Sequence, residues 1–340
     1  MSVFPKISVV MPIYNTNAKY LKVAIESILG QTFQDFEFII LNDSPNNGEL
    51  KSIVLQYKDE RIKYIENTET LGIPKCYNRL LDLARADFIA IMNHDDYSLN
   101  NRLEVQYEYF QSHPEVGLVG SGYKKFGEIN RFKKVYPIVD EDVIRAMLLF
   151  KSSIHHPTIM IRKSILVENN IRYNEDYVSL NDRQLYYDLS KYTKLANISE
   201  VLYKYRFHKN MTSKLKRNIV FAEQCEFHGY WFKDNNIGLT NVEKTIFDYF
   251  VCSGRSKIID AEVMVAIKNV LEKISFLSYG SSNVDHKEFS KVCGEYLLKR
   301  LVNATFYGRR SFKDILQKTT LPVREHVGLK VLNFLFKERK

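Results

Sequence analysis

Residues 87–96, with the sequence DFIAIMNHDD, join an apolar strand-like run to two adjacent carboxylates. The run from Phe88 to Met92 is continuously apolar, which is typical of a strand covered on both faces of a sheet. Asp95 and Asp96 follow, and two carboxylates at the mouth of a buried strand repel unless a proton or a cation neutralises them. A helix start would also favour carboxylates, because its N-terminal end carries positive partial charge. The stretch therefore predicts a buried strand that ends in either a cation site or a helix start.

The sequence on both sides of this stretch alternates between strand-like and helix-like segments. Apolar runs such as FIIL at 38–41 alternate with amphipathic segments such as AKYLKVAIESIL at 18–29. Repeated βα units with short connections predict an α/β class, a Rossmann-like and mostly parallel sheet flanked by helices. After about Gly122 the alternation stops, with one further strand-like run, HHPTIMIR, at 155–162. From about Lys214 onward the pattern predicts a mainly helical region.

The composition indicates a globular protein. The chain has 340 residues, of which 45% are hydrophobic, and this supports a substantial core. Its four cysteines form no metal-ligand spacing, so we expect neither a disulfide scaffold nor a zinc site and place the protein in the cytoplasm. The sequence shows no signal-peptide pattern and no run of 18 apolar residues, so we expect no membrane-spanning helix.

The positive charge is concentrated at the C-terminal end. The net charge is +9, and residues 299–340 hold eleven Lys or Arg and three Asp or Glu, a net of +8. This favours a local anionic partner, either a membrane surface or a nucleic acid. We expect no nucleic acid, because no recognised module accompanies the charge. The segment VREHVGLKVLNFLFKERK at 323–340 fits either an interfacial membrane helix or an ordinary packing helix with a basic outer face.

Polar side chains follow each of the first four predicted strands. In an open parallel sheet, ligands bind outside the carboxyl ends of the strands. Carboxylates and amides there suit a ribonucleotide, with a divalent cation bridging a carboxylate to its diphosphate. The chain has no G-x-G-x-x-G after its first strand and no P-loop, which argues against dinucleotide oxidoreduction and P-loop phosphoryl transfer. The groups at these strand ends are Asn15, Thr16, Asp43, Ser44, the segment 67–72, Asp95 and Asp96.

Several motifs, taken in order, resemble family 2 glycosyltransferases with the GT-A fold. They are ISVVMPIYN, AIESILGQTFQDFEFIILND, ENTETLGIPKCYNRLLDLA, IMNHDD, HHPTIMIRKS and the segment YNEDYVSLNDRQLYYDLSKYTKLANISEVLYKYRFHKNMTS. The resemblance implies a GT-A domain over residues 1–213, with a nucleotide-sugar-binding half at 1–122 and an acceptor half at 123–213. Residues 214–340 would form a helical C-terminal region with a basic amphipathic tail.

The resemblance also implies roles on the donor side. Asp95 would approach the ribose, and Asp96 would bind Mg²⁺ or Mn²⁺ on the donor diphosphate. His208 would complete the metal shell, although a lone histidine is equally often structural. Lys75 is either a donor contact or a solvated lysine in the first turn of a helix. The remaining residues that the resemblance places at the nucleotide are Pro12, Tyr14, Asn15, Asp43, which would read the base, and Asn78.

On the acceptor side, the resemblance makes Asp182 the catalytic base. Asn181 stands where the family usually has glutamate, which leaves the acceptor type open. Asp182 alone could equally be a carboxylate at a helix start. A base in this position would deprotonate an acceptor hydroxyl for a single displacement that inverts the anomeric configuration. His155 and His156 resemble a segment that lines the acceptor side.

The resulting functional prediction is an inverting, metal-dependent glycosyltransferase of the bacterial surface-polysaccharide type, as in O-antigen or capsule synthesis. A UDP-sugar is the expected donor, and the acceptor would be a saccharide, either free or linked to polyprenyl diphosphate. The enzyme would be cytoplasmic, with the inner face of the cytoplasmic membrane as a further expected partner. The alternative is a noncatalytic nucleotide-sugar-binding or scaffold subunit, because Asn42 and Asn181 stand where the family prefers acids.

Overall fold

The computed structural model describes residues 4–45, 47–128, 133–208, 217–252, 261–275 and 291–296. The chain packs as two units, one from residues 1–144 and 152–216 and the other from 145–151 and 217–340. All the residues that the sequence predicts for the site belong to the first unit. The predicted amphipathic tail at 323–340 lies outside the described residues.

The first unit contains a sheet of nine strands within the described residues. The strands are β1 (Ile7–Ile13), β2 (Phe36–Asn42), β3 (Ile62–Glu66), β4 (Phe88–Ile91), β5 (Tyr97–Ser98), β6 (Val116–Gly127), β7 (Lys134–Val135), β8 (Met160–Arg162) and β9 (Lys194–Phe207). Their order is β3-β2-β1-β4-β8-β6-β9-β5, with β7 paired to β6. The pairs among β1 to β4 and the pair β6 with β9 are parallel, while β5, β7 and β8 pair antiparallel.

Helices accompany the strands of the first unit. They are α1 (Ala18–Leu29), α2 (Gly48–Leu55), α3 (Ile73–Leu83), α4 (Arg102–Ser112), α5 (Glu141–Met147), of which residues 145–147 belong to the second unit, α6 (Lys163–Glu168) and α7 (Asn181–Leu189). A 3₁₀ turn covers His156–Thr158. This mixed α/β architecture confirms the predicted fold class.

The core lies on both faces of the central strands. All seven residues of β2 and all four of β4 are buried, as the continuous apolar runs predict. Each Val, Leu, Ile or Phe side chain fully removed from water stabilises the fold by about 1.5–3 kcal/mol. Burial of the central strands therefore holds their carboxyl ends, where the candidate site lies, in fixed positions.

Helix starts follow partly from local signals. Asn17 precedes α1, and its Oδ1 accepts a hydrogen bond from the Lys19 N–H at 2.9 Å. Ser98 and Asn100 are residue types that often cap helices, but α4 begins at Arg102, after Asn101. Ser98 instead lies in β5, opposite Tyr203 of β9. Tertiary strand pairing outweighs the capping preference there.

Strand β9 is absent from the sequence-based prediction. It is 14 residues long and pairs in parallel with β6, with register shifts along the way. Charged side chains interrupt its apolar character, so it does not show the continuous run of a central strand. Its second half nevertheless alternates aromatic and basic residues in YKYRF, and this period of two is the signal that could have revealed it.

The second unit is helical in its described part. It contains α8 (Arg217–Asp234), α9 (Asn241–Cys252) and α10 (Ala261–Ser275). Buried His228 contacts Asp248 Oδ1 through Nδ1 at 2.6 Å and the Leu149 carbonyl oxygen through Nε2 at 3.1 Å. Phe150 packs against Phe247 with ring centroids 6.4 Å apart. These contacts attach residues 145–151 to the helical unit, a feature that the sequence alone does not indicate.

Candidate functional site

The candidate site begins where β1 and β4 stop pairing. The two strands pair only from Ile7 to Val10 on β1, so Pro12 lies beyond the β4 ladder and its missing N–H breaks no bond there. After β1, Tyr14 is 51% exposed. Asn15 adopts a positive φ of 43°, and its N–H donates to Ser44 Oγ at 2.9 Å. Pro12, Tyr14 and Asn15 therefore lie at the carboxyl edge of the sheet, beside the segment that follows β2.

Asp43 is a buried anchor for the loop before α3. Its side chain is only 3% exposed. Oδ1 accepts hydrogen bonds from Asn67 Nδ2 at 2.6 Å and the Leu71 N–H at 2.8 Å, and Oδ2 accepts from the Gly72 N–H at 2.9 Å. Gly72 has φ +88°, a backbone conformation that residues other than glycine rarely adopt. Asp43 thus fixes the loop that leads into α3, and these bonds engage both carboxylate oxygens of the residue that the resemblance assigns to reading the nucleobase.

Asn42, which stands where the family prefers an acid, is a neutral residue that hydrogen-bonds the segment after β2 and strand β3. Its Oδ1 accepts from the Ser44 N–H at 3.0 Å, and its Nδ2 donates to Tyr64 Oη at 2.9 Å and Glu66 Oε1 at 3.3 Å. A second carboxylate at this buried position would face Glu66. The amide therefore fits its surroundings, which explains this departure from the family pattern.

The predicted donor contacts on α3 differ in environment. Lys75 is exposed in the first turn of the helix. The Asn78 side chain is occupied, because its Nδ2 donates to the Tyr173 carbonyl and its Oδ1 accepts from the Tyr173 N–H, both at 2.9 Å. Nδ2 also lies 3.0 Å from Glu175 Oε1. Asn78 therefore ties α3 to the segment 173–175, whereas Lys75 is open to a ligand.

Asp96 is fully buried and bonded on both oxygens. Oδ2 accepts from Asn93 Nδ2 and Tyr203 Oη, each at 3.0 Å, and Oδ1 accepts from the Arg206 N–H at 2.7 Å. Burial, followed by the nearby charge of Asp95, raises the pKa of Asp96 well above its ordinary value. Three protein donors thus engage the carboxylate to which the resemblance gives the metal role.

Asp95 is the more accessible carboxylate of the pair. Its Oδ2 lies 2.9 Å from His208 Nε2, and the side chains of Asp95 and His208 are 20% and 19% exposed. The backbone carbonyl of Asp95 accepts from Arg206 Nε at 2.6 Å. Among the described residues no group of three His, Cys, Asp or Glu side chains is arranged around one metal position. Asp95 and His208 nevertheless form an oxygen and nitrogen pair that fits two positions in the shell of a divalent cation.

Asp182 lies in the first turn of α7. Its Oδ1 accepts from the Arg183 N–H at 2.7 Å. Burial raises the pKa of Asp182 to about 6, which keeps the group ionised at pH 7 but close to its proton-accepting range. Neighbouring Asn181 donates through Nδ2 to the Tyr177 carbonyl at 3.1 Å, so it supports the turn before the helix.

Buried Tyr77 connects Asp182 to the acidic turn. The carboxylates of Asp96, Asp95 and Asp182 all contribute to raising the pKa of Tyr77, after the larger effect of burial. Electrostatic contributions of this kind require proximity. Asp182 and the turn at 95–96 therefore both lie within electrostatic range of one tyrosine, although they are 86 positions apart in the sequence.

The two predicted acceptor-side histidines lie among aromatic rings. His156 Nε2 is 2.9 Å from Tyr173 Oη, and the His156 ring meets Tyr77 edge-on at 4.9 Å. His155 stacks on Tyr123 with centroids 4.0 Å apart. Burial lowers the pKa of both histidines to about 3, so both are neutral at pH 7. Through Tyr77 and Tyr173, His156 belongs to the same cluster as Asp182.

Tyr203 and Arg206 of β9, which the sequence does not predict as site residues, bond the acidic turn. Tyr203 donates to Asp96, and its ring lies 5.2 Å from the buried guanidinium of Arg102. Arg206 bonds the backbone of Asp95 and the side chain of Asp96. The aromatic and basic alternation of YKYRF, which marks the strand, also marks these residues.

Solved structures share this fold. TarS 1–349 of S. aureus, in a complex with UDP-GlcNAc, superposes with a TM-score of 0.60 at 16% identity, over 89% of this chain and 90% of that one. The mannosyltransferase PcManGT of Pyrobaculum calidifontis, in a complex with GDP-Man and Mn²⁺, gives 0.53 at 12% identity, over 90% and 88%. The fold is that of the GT-A glycosyltransferases, as the sequence predicts.

Sequence relatives identify the family. The glycosyl transferase family 2 profile matches residues 8–169. An uncharacterized glycosyltransferase of Methanocaldococcus jannaschii is 34% identical over 225 residues, which cover 64% of this chain and 77% of that protein. The O-antigen biosynthesis glycosyltransferase WbnJ of Escherichia coli is 31% identical over 222 residues, or 63% and 84% of the two chains. The chain belongs to glycosyltransferase family 2, which confirms the predicted enzyme class.

The described helices include none that is both long and apolar enough to cross a membrane.

Proposed function

We propose that the chain is an inverting glycosyltransferase in which Asp182 is the base and the turn at 95–96 binds the diphosphate end of a UDP-sugar. The observation that carries this proposal is the arrangement around Tyr77. A carboxylate with a pKa of about 6 and a pair of acidic residues both act on this one buried ring. A base and a leaving-group site at the same place are what a single displacement needs.

The proton and the bonds move as follows in this proposal. The acceptor hydroxyl gives its proton to the Asp182 carboxylate as its oxygen attacks the anomeric carbon. The bond from that carbon to the diphosphate oxygen breaks on the opposite face, so the configuration inverts. Because the pKa of Asp182 is about 6, the group is ionised at pH 7 and still basic enough to accept the proton.

The proposed cation ligands are Asp95 and His208, in place of Asp96. Asp96 Oδ1 and Oδ2 accept hydrogen bonds from three protein donors, whereas Asp95 is partly exposed beside His208. A bound Mg²⁺ or Mn²⁺ would offset charge that develops on the leaving diphosphate. Asp96 then serves to hold the turn. The positive charge of the Arg102 guanidinium, which lies near Tyr203, favours the ionised form of Asp96.

The finer features of the proposal draw on the relatives. The complex of TarS with UDP-GlcNAc supports a UDP-sugar, and the PcManGT complex supports Mn²⁺. The name of WbnJ supports a saccharide acceptor in O-antigen or related surface-polysaccharide synthesis. The basic composition of residues 299–340 supports a lipid-linked acceptor at the inner face of the cytoplasmic membrane.

Thermal unfolding with sugar nucleotides tests this proposal. A ligand that binds only the native state stabilises it by about 2.7 kcal/mol at 100 times its dissociation constant. We expect a UDP-sugar with Mn²⁺ to raise the Tm of the wild type, GDP-sugars to raise it less, and Asp95→Asn to remove the effect of Mn²⁺. Equal stabilisation of the wild type and the Asp95→Asn variant by Mn²⁺ would overturn the cation assignment.

Membrane association is tested separately. A chain that is truncated before Leu321 should leave the membrane fraction, while the full chain sediments with vesicles that contain anionic lipid. Sedimentation of both chains to the same extent would refute the proposed role of the tail.

A further inference from the structure

The guanidinium of Arg206 is enclosed by two aromatic rings. Its Cζ lies 4.1 Å from the ring centroid of Tyr20, on α1, and 4.3 Å from that of Phe126, on β6. A planar guanidinium between aromatic faces gains cation–π attraction and loses freedom to rotate. Two separate elements of the first unit, α1 and β6, thus contact this side chain.

Arg206 donates hydrogen bonds to both aspartates of the acidic turn. Arg206 Nε donates to the backbone carbonyl of Asp95 at 2.6 Å, and the Arg206 N–H donates to Asp96 Oδ1 at 2.7 Å. One residue therefore bonds both aspartates, one through its side chain and the other through its backbone. The bond to the Asp95 carbonyl fixes the main chain of Asp95, and the main chain in turn sets the direction of the Asp95 side chain.

The Arg206 contacts extend to the residue that pairs with Asp95. His208 follows two positions later on the same chain segment, and its Nε2 lies 2.9 Å from Asp95 Oδ2. The Tyr20 ring that covers Arg206 also lies 6.1 Å from the His208 ring. A shift of Arg206 would therefore disturb both Asp95 and His208.

We propose that Arg206 is a positioning residue that orients Asp95 and His208 toward a divalent cation, with Tyr20 and Phe126 as its supports. This inference rests on the proposed function, in which Asp95 and His208 bind the cation. Lysine cannot replace Arg206, because an ammonium has neither the flat faces that fit between the rings nor an Nε donor at this position. Loss of a residue that orients metal ligands typically weakens metal binding by about 10-fold to 100-fold.

Lys204 offers a matched control. It is also a basic residue of β9, two positions before Arg206, and its Nζ lies 4.5 Å from the Tyr97 ring. Its Cα is opposite Tyr97 of β5 in the strand register. Replacement of Lys204 removes a similar charge and a similar cation–π contact from the same strand while Arg206 keeps its bonds to the turn.

The experiment measures Mn²⁺ uptake directly. The full-length wild type, Arg206→Lys, Phe126→Leu and Lys204→Met are titrated with Mn²⁺ in the presence of UDP, and free Mn²⁺ is followed by electron paramagnetic resonance. We expect the Mn²⁺ dissociation constant to rise by about 10-fold in Arg206→Lys and by about 3-fold in Phe126→Leu, and to stay within about 2-fold in Lys204→Met. Phe126→Leu leaves Arg206 in place, so it tests the inference even where Arg206→Lys does not fold.

The outcomes separate the inference from the proposed function. If the wild type takes up no Mn²⁺ with either UDP or GDP, the proposed cation site fails, and the inference fails with it. If the wild type binds Mn²⁺ and folded Arg206 and Phe126 variants bind it as Lys204→Met does, only the positioning role is refuted.

Discussion

The acidic turn at 95–96 and the surroundings of Asp182 differ in how their polar atoms are satisfied. At the turn, Asp96 is bonded on both oxygens and Asp95 is held through its carbonyl. On the predicted acceptor side, Tyr186 Oη and His155 Nε2 are buried without a hydrogen-bond partner among the described residues. Buried polar atoms usually have partners, and those left over indicate a place where a ligand can supply them. The Asp96 carboxylate is thus held by protein donors, although His94 Nδ1 in the same turn is also buried without a partner among the described residues.

The strongest test of this contrast is Asp182→Asn. Loss of a general base costs about 10²-fold to 10⁴-fold in rate, so transfer should fall by this range. The preformed donor turn should be unaffected, and Mn²⁺ uptake with UDP should match the wild type. Transfer rates and Mn²⁺ titrations on the same preparation decide it. Undiminished transfer would remove Asp182 from the proposed mechanism.

The second test compares Ala substitutions at the two aspartates of the turn. Asp96→Ala leaves three donors without their acceptor, and each unsatisfied buried group costs about 1–3 kcal/mol, so we expect a loss of about 3 kcal/mol in the free energy of unfolding. Asp95→Ala should change stability by less than about 1 kcal/mol, because this side chain is partly exposed. Denaturant unfolding of both variants measures the difference. Equal losses would contradict the structural role assigned to Asp96.

A third test uses the raised pKa of Asp182. The folded-state pKa of about 6 lies above the ordinary aspartate value, so Asp182 favours folding when protonated, and this contribution is lost as the pH rises through 6. Asp182→Asn should therefore be more stable than the wild type at pH 7, by on the order of 1–2 kcal/mol, with a smaller difference at pH 4. Transfer by the wild type should increase over the same pH range as Asp182 ionises. A stability difference that is independent of pH would contradict the burial of this carboxylate.

The smallest expected effect concerns His155. Its folded-state pKa of about 3 is far below the ordinary histidine value, so the unfolded chain binds its proton first and the fold loses stability as the pH falls below about 6.5. His155→Phe keeps the stacking on Tyr123 and removes this penalty, which we expect to gain about 1 kcal/mol at pH 5 and little at pH 8. Unfolding curves at the two pH values measure the change. His113, which stacks on Tyr109, provides the matched substitution at a site outside the cluster.

Strand character was predictable from sequence where burial is continuous. β2 and β4 are buried throughout, and their apolar runs show this directly. β9 was missed, because its exposed positions carry charges and its pairing partners are distant in the chain. The distinct environments of Asp95 and Asp96 could not be predicted for the same reason, since Tyr203, Arg206 and His208 of the following segment create them.

The sequence predicts which residues belong to the site better than it predicts the environment and contacts of each one. Asp182 was selected from its motif, but its raised pKa comes from burial that no local pattern encodes. Asn78 was expected to contact the donor, yet its amide bonds the main chain of Tyr173. The roles assigned to these residues remain predictions until the variants are measured.

The attachment of Asn78 to residue 173 has an evolutionary consequence. Two bonds of the Asn78 amide go to main-chain atoms of Tyr173, so they do not depend on the side chain at that position, whereas the third goes to the Glu175 carboxylate. Proline would be the exception, since it lacks the N–H that Asn78 accepts from. The main-chain part of this link to α3 can therefore persist when the side chain at position 173 changes.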